Sequence, residues 1–374
     1  LFKEKKFVNE FSNYSPKNFT KLNYDEANNI FNTKERLDFL REKYNFKGTQ
    51  IFADHHKCHA YYACYGSEIR DINYKDILII TADSYGDDKN WSVSEVKNNG
   101  KLNLLKSGND NTVARIYRFT TLILGMKPLE HEYKVMGLSA YSKSKKHIND
   151  VCKVFIEMLD FKEGNFFSKK PLQDSYFDLK NRLEGFRFDN IAAGLQEWST
   201  LITKKWIEHW LKLTNKKVVC FSGGLSMNVK SNGEIIDKIK DLKNMYVPAS
   251  GGDETLSIGA CFFAAKEISK IKVNNLNNIY LGKKVSSKLS INRCKDILLK
   301  LKVDPKKFDF KENVSNEFVA ELLSKNNIIA RCSGDLEFGA RSLGNRAILA
   351  HPMYYENVEK INDLIKKRDF WMPF

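Results

Sequence analysis

Residues 52–62, FADHHKCHAYY, hold three histidines and an aspartate within the six positions that begin at Asp54. His55 and His59 stand four residues apart, so on a helix their side chains share one face with Cβ atoms about 5–6 Å apart. Two imidazoles at that spacing can grip one metal ion, whereas His56 faces elsewhere and reads as a packing or supporting residue. A divalent ion is underfilled by two nitrogens, so carboxylates must come from other segments. Asp83, after the β-branched run in DILIITADSYGD, and Asp253, in the turn SGGDE, are the natural suppliers. Two histidines and two aspartates with open coordination positions could polarise a carbonyl or activate a hydroxyl.

Two further segments suit phosphate. FSGGLSMN (221–228) and SGGDE (250–254) each set a Gly-Gly turn behind an apolar run, which brings backbone N–H groups against phosphate oxygens. Gly223, Gly224, Gly251 and Gly252 are therefore candidate nucleotide positions; no GKS or GKT follows, so neither turn is a Walker motif. EHEYKVMGLSAY (130–141) places Glu132 and Lys134 ahead of an apolar stretch. GDLEFGARSLGNR (334–346) puts Glu337, Arg341 and Arg346 on one glycine-rich loop, where arginines suit bidentate recognition of phosphate or carboxylate. Each segment also has a plainer reading, as a simple turn, a solvated charge pair or a surface salt-bridge loop.

The elements that would position these groups follow from hydrophobic pattern. KGTQIFAD reads as a short strand, and HKCHAYYACYGS continues with helical spacing until Gly66, so the histidines sit at a strand-to-helix junction. DILIITADSYGD, KKVVCFSGGLSMN and MYVPASGGDETLSIGACFFAAKE each read as a strand that ends in a polar turn, and the last continues into an apolar helix. Three such units predict a parallel or mixed α/β sheet with its polar loops at the strands' C-terminal edge, where ligands bind. Residues 1–47 read as short helices and loops, and the pattern loosens near YLGKKVSSKLSIN, where a domain boundary is placed. Beyond it, a helix, a strand and the arginine loop open a second α/β unit.

Composition narrows the class. The chain has 374 residues, 42% of them hydrophobic and 12% aromatic, which favours a globular protein over a disordered one. No apolar run spans a bilayer and no secretory pattern opens the sequence, so a cytoplasmic protein without a membrane partner is expected. The seven cysteines are scattered without CxxC spacing, which argues against a disulfide framework or a zinc ribbon. A net charge of +15 would suit an anionic partner, but the lysines are spread evenly rather than gathered in a stripe, so nucleic acid is not expected.

Taken in order, DHHKCHA, TADSYGD, HEYKVMGLSAY, DNIAAGLQ, FSGGLSMNVKSNGEI, PASGGDETLSIGA, LEFGARSLGNRAILAHP and NDLIKKRDFWMPF resemble the O-carbamoyltransferases of the NodU/CmcH family. The resemblance runs from about residue 45 onward. It implies an actin-like ATPase (ribonuclease H-like) domain over 1–283, a linker over 284–312, and the N-terminal part of a YrdC-like domain over 313–374. It implies that carbamoyl phosphate and ATP yield a carbamoyl-adenylate, and that the carbamoyl group then passes to a hydroxyl of a small molecule or sugar at a metal centre, iron in family members. By motif, His55, His59, Asp83 and Asp253 match the metal ligands, and Gly223, Gly224 and Asn228 the nucleotide turn. Lys134 and Asp189 are implied as phosphate or ribose contacts, and Arg341 and Arg346 as the arginines of the YrdC-like opening. Tyr133 stands where the family has glycine and Ala340 where it has proline. The family's opening strand hairpin has no counterpart here and its chains continue past the RPF-type segment, so truncation at both ends is expected. A homodimer is left open. Two other readings stay on the table: an RNA-binding tRNA-modifying protein of the threonylcarbamoyl type, and a truncated, non-catalytic nucleotide-binding paralogue.

Overall fold

The apolar run ahead of Asp83 forms β1 (Ile77–Gly86), whose Ile77, Leu78, Ile79 and Ile80 are buried on both faces, as a central strand requires. It pairs antiparallel with β2 (Lys89–Val96), which pairs antiparallel with β3 (Leu102–Gly108). A short hairpin of β4 (Asp160–Lys162) and β5 (Asn165–Phe167) stands apart. On its other side β1 runs parallel to β6 (Val218–Ser222), and β6 parallel to β7 (Asn244–Tyr246), giving a mixed five-stranded order β3-β2-β1-β6-β7. This is the mixed α/β class expected from the alternating pattern. The computed structural model describes residues 53–372 apart from 68, 70–72, 171–173, 270, 277 and 285–289, together with 41, 42, 45, 47 and 48. The short helices read into residues 1–47 and the strand read into KGTQIFAD lie almost wholly outside the described residues.

Alternation along β1 divides the core. Ile77 and Ile79 face α1 (His55–Tyr65), with Ala60, Tyr61, Cys64, Val218 and Cys220. Leu78 and Ile80 face a larger cluster built from α2 (Val113–Ile123), α3 (Glu132–Leu138), α4 (Lys145–Met158), α5 (Phe177–Leu183) and the 27-residue α6 (Phe188–Thr214). Trp198 of α6 stacks on Phe155 of α4 at 5.3 Å between ring centroids, and Trp206 meets Trp91 of β2 edge-on at 5.7 Å. After β6, α7 (Val229–Lys238) leads to β7, a polar turn and α8 (Leu256–Phe263).

Helix α1 is the element that carries the histidines, and its start is fixed locally. The Asp54 side chain caps it by accepting the Lys57 N–H at 3.1 Å and is itself paired with Lys89 at 2.8 Å. Unlike a surface helix, α1 is buried nearly all round, because the sheet covers one side and α8 another. The two helices approach closely at Gly259, where a Cβ would overlap the Cys58 carbonyl.

Asp83 was expected on a loop after its strand. It lies instead within β1, which passes an irregularity in register between Ala82 and Gly86 and ends where Gly86 pairs with Lys89. Beyond the sheet, the segment read as a linker contains α9 (Ile291–Lys300). Then α10 (Asn316–Ser324) precedes a separate two-stranded sheet of β8 (Ile329–Cys332) and β9 (Arg346–Leu349), followed by α11 (Glu356–Glu359). All seven cysteines are free, as their spacing suggested. Among the described residues no helix is long and apolar enough to cross a membrane.

The contact at Gly259 predicts that Gly259→Ala destabilises the fold by about 1–3 kcal/mol, because the added methyl meets backbone that cannot step aside. Gly233 in α7 faces open space, so Gly233→Ala stabilises by about 0.5–1 kcal/mol through helix propensity alone. Thermal denaturation of the two variants should therefore shift in opposite directions.

Candidate functional site

The start of α1, the end of β1 and the turn before α8 meet at one point. There the ligating atoms of His55, His59, Asp83 and Asp253 all lie within 4.8 Å of one another. His55 Nε2 is 3.8 Å from Asp83 Oδ2 and 3.6 Å from Asp253 Oδ1; His59 Nε2 is 3.3 and 3.4 Å from the same two oxygens. These separations exceed the usual 2.7–3.2 Å of an N–H···O bond. Among the described residues neither Nε2 atom, both buried, has a hydrogen-bond partner. Two donors on one tetrahedral ion, each at 2.0–2.2 Å, stand roughly 3.4 Å apart, so the spacing fits a shared cation. The two nitrogens and two carboxylates are a borderline donor set suited to a first-row divalent metal. His59 is fully buried while the Asp253 side chain is 66% exposed, so the group is open on the Asp253 side.

Supporting contacts orient the donors. Ser222 Oγ sits 3.3 Å from His59 Nδ1, and Asp87 Oδ2 accepts the His55 backbone N–H at 2.8 Å. Asp83 accepts the Ser84 N–H at 2.6 Å on Oδ1 and the Gly224 N–H at 3.1 Å on Oδ2. Burial works to raise the Asp83 carboxyl, but the His55 and His59 imidazoles and the Gly224 N–H outweigh it and hold it well below the usual carboxylate range. Burial works to lower His59, and the two carboxylates outweigh it and raise it. His56 turns away: its Nδ1 lies 2.8 Å from Thr81 Oγ1, and burial followed by the charges of the other two imidazoles pushes it down to about 4.

Asp83 also lines a cavity of about 330 Å³ that runs past the first glycine turn. Gly224, Asn228, Gly252, Glu132 and Arg341 line it as well, so five other sequence candidates gather there. Gly223 has φ +95°, and a Cβ there would overlap the Ala82 carbonyl, so the turn can pass against the end of β1 only with glycine. Its N–H donates to the Gly251 carbonyl at 2.9 Å, which ties the two glycine turns together. The Asn228 side chain caps α7 and exchanges hydrogen bonds with Gln196 at 2.9 and 3.0 Å.

Three candidates stand elsewhere. Lys134 Nζ pairs with Asp369 at 3.0 Å, and Asp189 receives both Nε and Nη2 of Arg187 at 3.0 Å. Arg346 is committed to its own loop, with Nη1 donating to the Ser333 carbonyl at 2.6 Å and the Asn345 carbonyl at 3.0 Å. Glu337 holds the same loop by accepting three backbone N–H groups on Oε1, at 2.7–3.1 Å. Missed in the sequence were Ser84, Glu254 and Arg118, all of which line the cavity. The available signal was Arg118 itself, the second of two arginines three residues apart in RIYRFTTLILG.

The geometry predicts that the protein binds one divalent cation per chain, and that His59→Ala weakens binding by more than about 100-fold. His59 is raised, so the metal-free site takes up a proton more readily than a free imidazole does; a cation competes with that proton, and affinity falls as pH falls. Calorimetry in buffers of differing ionisation enthalpy should show that proton release.

Residues 3–262 match the carbamoyltransferase N-terminus and residues 320–374 the carbamoyltransferase C-terminus. Uncharacterized protein MJ1051 of Methanocaldococcus jannaschii is 31% identical over 362 residues, covering 94% of this chain and 66% of that protein. Nodulation protein NolO of Bradyrhizobium diazoefficiens is 25% identical over 331 residues, covering 86% and 57%. Nodulation protein NolNO of Sinorhizobium fredii is 25% identical over 341 residues, covering 86% and 46%. The chain thus spans about half to two thirds of the length of these curated relatives. Among solved structures, the activator of 2-hydroxyisocaproyl-CoA dehydratase from Clostridium difficile with bound ADPNP aligns at a TM-score of 0.37 and 18% identity, over 61% of this chain and 71% of that one. Since the N-terminal match by itself covers more than half of the sequence, the chain belongs to the carbamoyltransferase family.

Proposed function

We propose that this protein transfers a carbamoyl group from carbamoyl phosphate, by way of a carbamoyl-adenylate formed with ATP, to a hydroxyl of a small molecule or sugar, with iron as its divalent metal. The observation that carries this reading is Asp83, which belongs both to the His/Asp group and to the cavity beside the glycine turns. Family membership supplies the reaction class. The proposal includes an actin-like ATPase domain over 1–283, a linker over 284–312 and the start of a YrdC-like domain over 313–374.

In the transfer step, the acceptor oxygen bonds to the carbamoyl carbon as the bond from that carbon to the adenylate phosphate oxygen breaks; AMP departs and the hydroxyl proton passes to solvent. A divalent ion held by His55, His59, Asp83 and Asp253 would supply Lewis acidity toward a carbonyl oxygen. The chain's own groups do the rest. The linked Gly223 and Gly251 turns form the wall against which a nucleotide phosphate would lie. Arg341, on a loop stiffened by Glu337, offsets the charge of the departing phosphate. Its exposure at the cavity favours it over Arg346, whose Nη1 is bonded to two carbonyls of its own loop. The open Asp253 side offers the entry for an acceptor.

Incubating the iron-loaded protein with carbamoyl phosphate, ATP and a panel of hydroxyl acceptors should release AMP and form a carbamate ester, detectable by mass spectrometry. Asp83→Asn should lower turnover by at least about 100-fold, since it disturbs the metal group and the Gly224 contact together. Folded, metal-loaded protein that releases no AMP and forms no carbamate would overturn the proposal.

A further inference from the structure

We infer that Arg118 and Arg341 act as a two-guanidinium clamp in the 330 Å³ cavity and recognise the phosphoryl group of the nucleotide, an inference that rests on the nucleotide reading of that cavity.

Both residues line the cavity, and among the described residues neither has a carboxylate within ion-pair distance. Arg118 comes from the buried-faced helix α2 and is half-buried; its one hydrogen bond runs from Nη1 to Ser84 Oγ at 3.3 Å. Arg341 is exposed, and its guanidinium lies 5.7 Å from the centre of the Tyr133 ring. The acids along the same cavity are already engaged. Glu132 accepts the Leu129 N–H at 2.7 Å, Glu130 is paired with Lys127, and Glu254 accepts the Ser250 hydroxyl. Asp83 is shared among the two imidazoles and the Gly224 N–H.

A half-buried guanidinium with no carboxylate at ion-pair distance among the described residues is costly to hold, and a ligand anion reduces that cost. Burial, and then the nearby charge of Arg115, disfavours the charged form of Arg118 and outweighs the more distant Glu132 and Asp83 carboxylates, which favour it. The planar fork of arginine matches phosphate oxygens two at a time, which a lysine cannot reproduce. Ser84 and Gly224 flank Asp83 on the same wall, so a phosphoryl group between the arginines would also lie beside the first glycine turn. Glu337 fixes the loop that carries Arg341, so that side of the clamp is formed in advance. Tyr133 serves as the platform under the Arg341 guanidinium.

The test compares binding of AMP and of adenosine to the full chain by calorimetry, in the wild type and in Arg118→Ala, Arg118→Lys and Arg341→Ala. Each alanine variant should bind AMP at least tenfold more weakly with adenosine affinity unchanged, and Arg118→Lys should recover only part of the loss. Arg341 is exposed, so its variant gives a reading even where Arg118→Ala proves unstable in a thermal melt. Unchanged AMP affinity in both alanine variants, or an equal loss for adenosine, would overturn the clamp while leaving nucleotide binding intact. A wild-type protein that binds neither ligand would overturn the nucleotide reading and the clamp with it.

Discussion

One carboxylate holds this site together. Asp83 accepts the backbone N–H of Gly224 and lies 3.3–3.8 Å from two imidazoles of α1, so the end of the central strand, the histidine helix and the first glycine turn meet at it. Everything upstream serves that placement. The buried run Ile77–Ile80 anchors β1 on both faces, Asp54 starts α1 at the right residue, and the glycine at 223 lets the next turn close over the strand end.

The same arrangement explains why an interior helix carries so much polarity. Burying an imidazole nitrogen with no partner costs free energy that packing alone does not return. His55 and His59 accept that cost side by side, with a depressed carboxylate next to them. Such a combination is hard to maintain for stability's sake, since a hydrophobic pair would fill the space more favourably. It is what a site looks like when its donors are positioned in advance for a ligand. The cavity repeats the logic on its other wall, where, among the described residues, two guanidiniums stand with no carboxylate at ion-pair distance.

How much of this was legible in the sequence depended on range. The helical register of His55 and His59, the stop at Gly66 and the strands before each glycine turn follow from local periodicity and turn chemistry, and the structure shows them. The convergence of Asp83 and Asp253 on the histidines was legible because strands of an α/β sheet deliver their C-terminal ends to one edge. Local pattern could not tell that β1 continues through Asp83, since that depends on pairing with β2 across the irregularity near Gly86. Nor could it tell which charged groups are spent. Asp189 is paired with Arg187, Arg346 with carbonyls of its own loop and Lys134 with Asp369, and each partner is a matter of side-chain direction or distant contact. Arg118 was overlooked for the converse reason, because a cation on a mostly apolar helix looks like its solvent edge until the facing cavity is known.

The central claim is that four side chains from three separate segments hold a single cation. Anomalous diffraction from crystals of the iron-loaded protein, recorded on either side of the iron absorption edge, tests it most directly. The account predicts one strong peak bounded by His55, His59, Asp83 and Asp253. A map with no peak there, or with iron bound at other residues while these four stand apart, would contradict it.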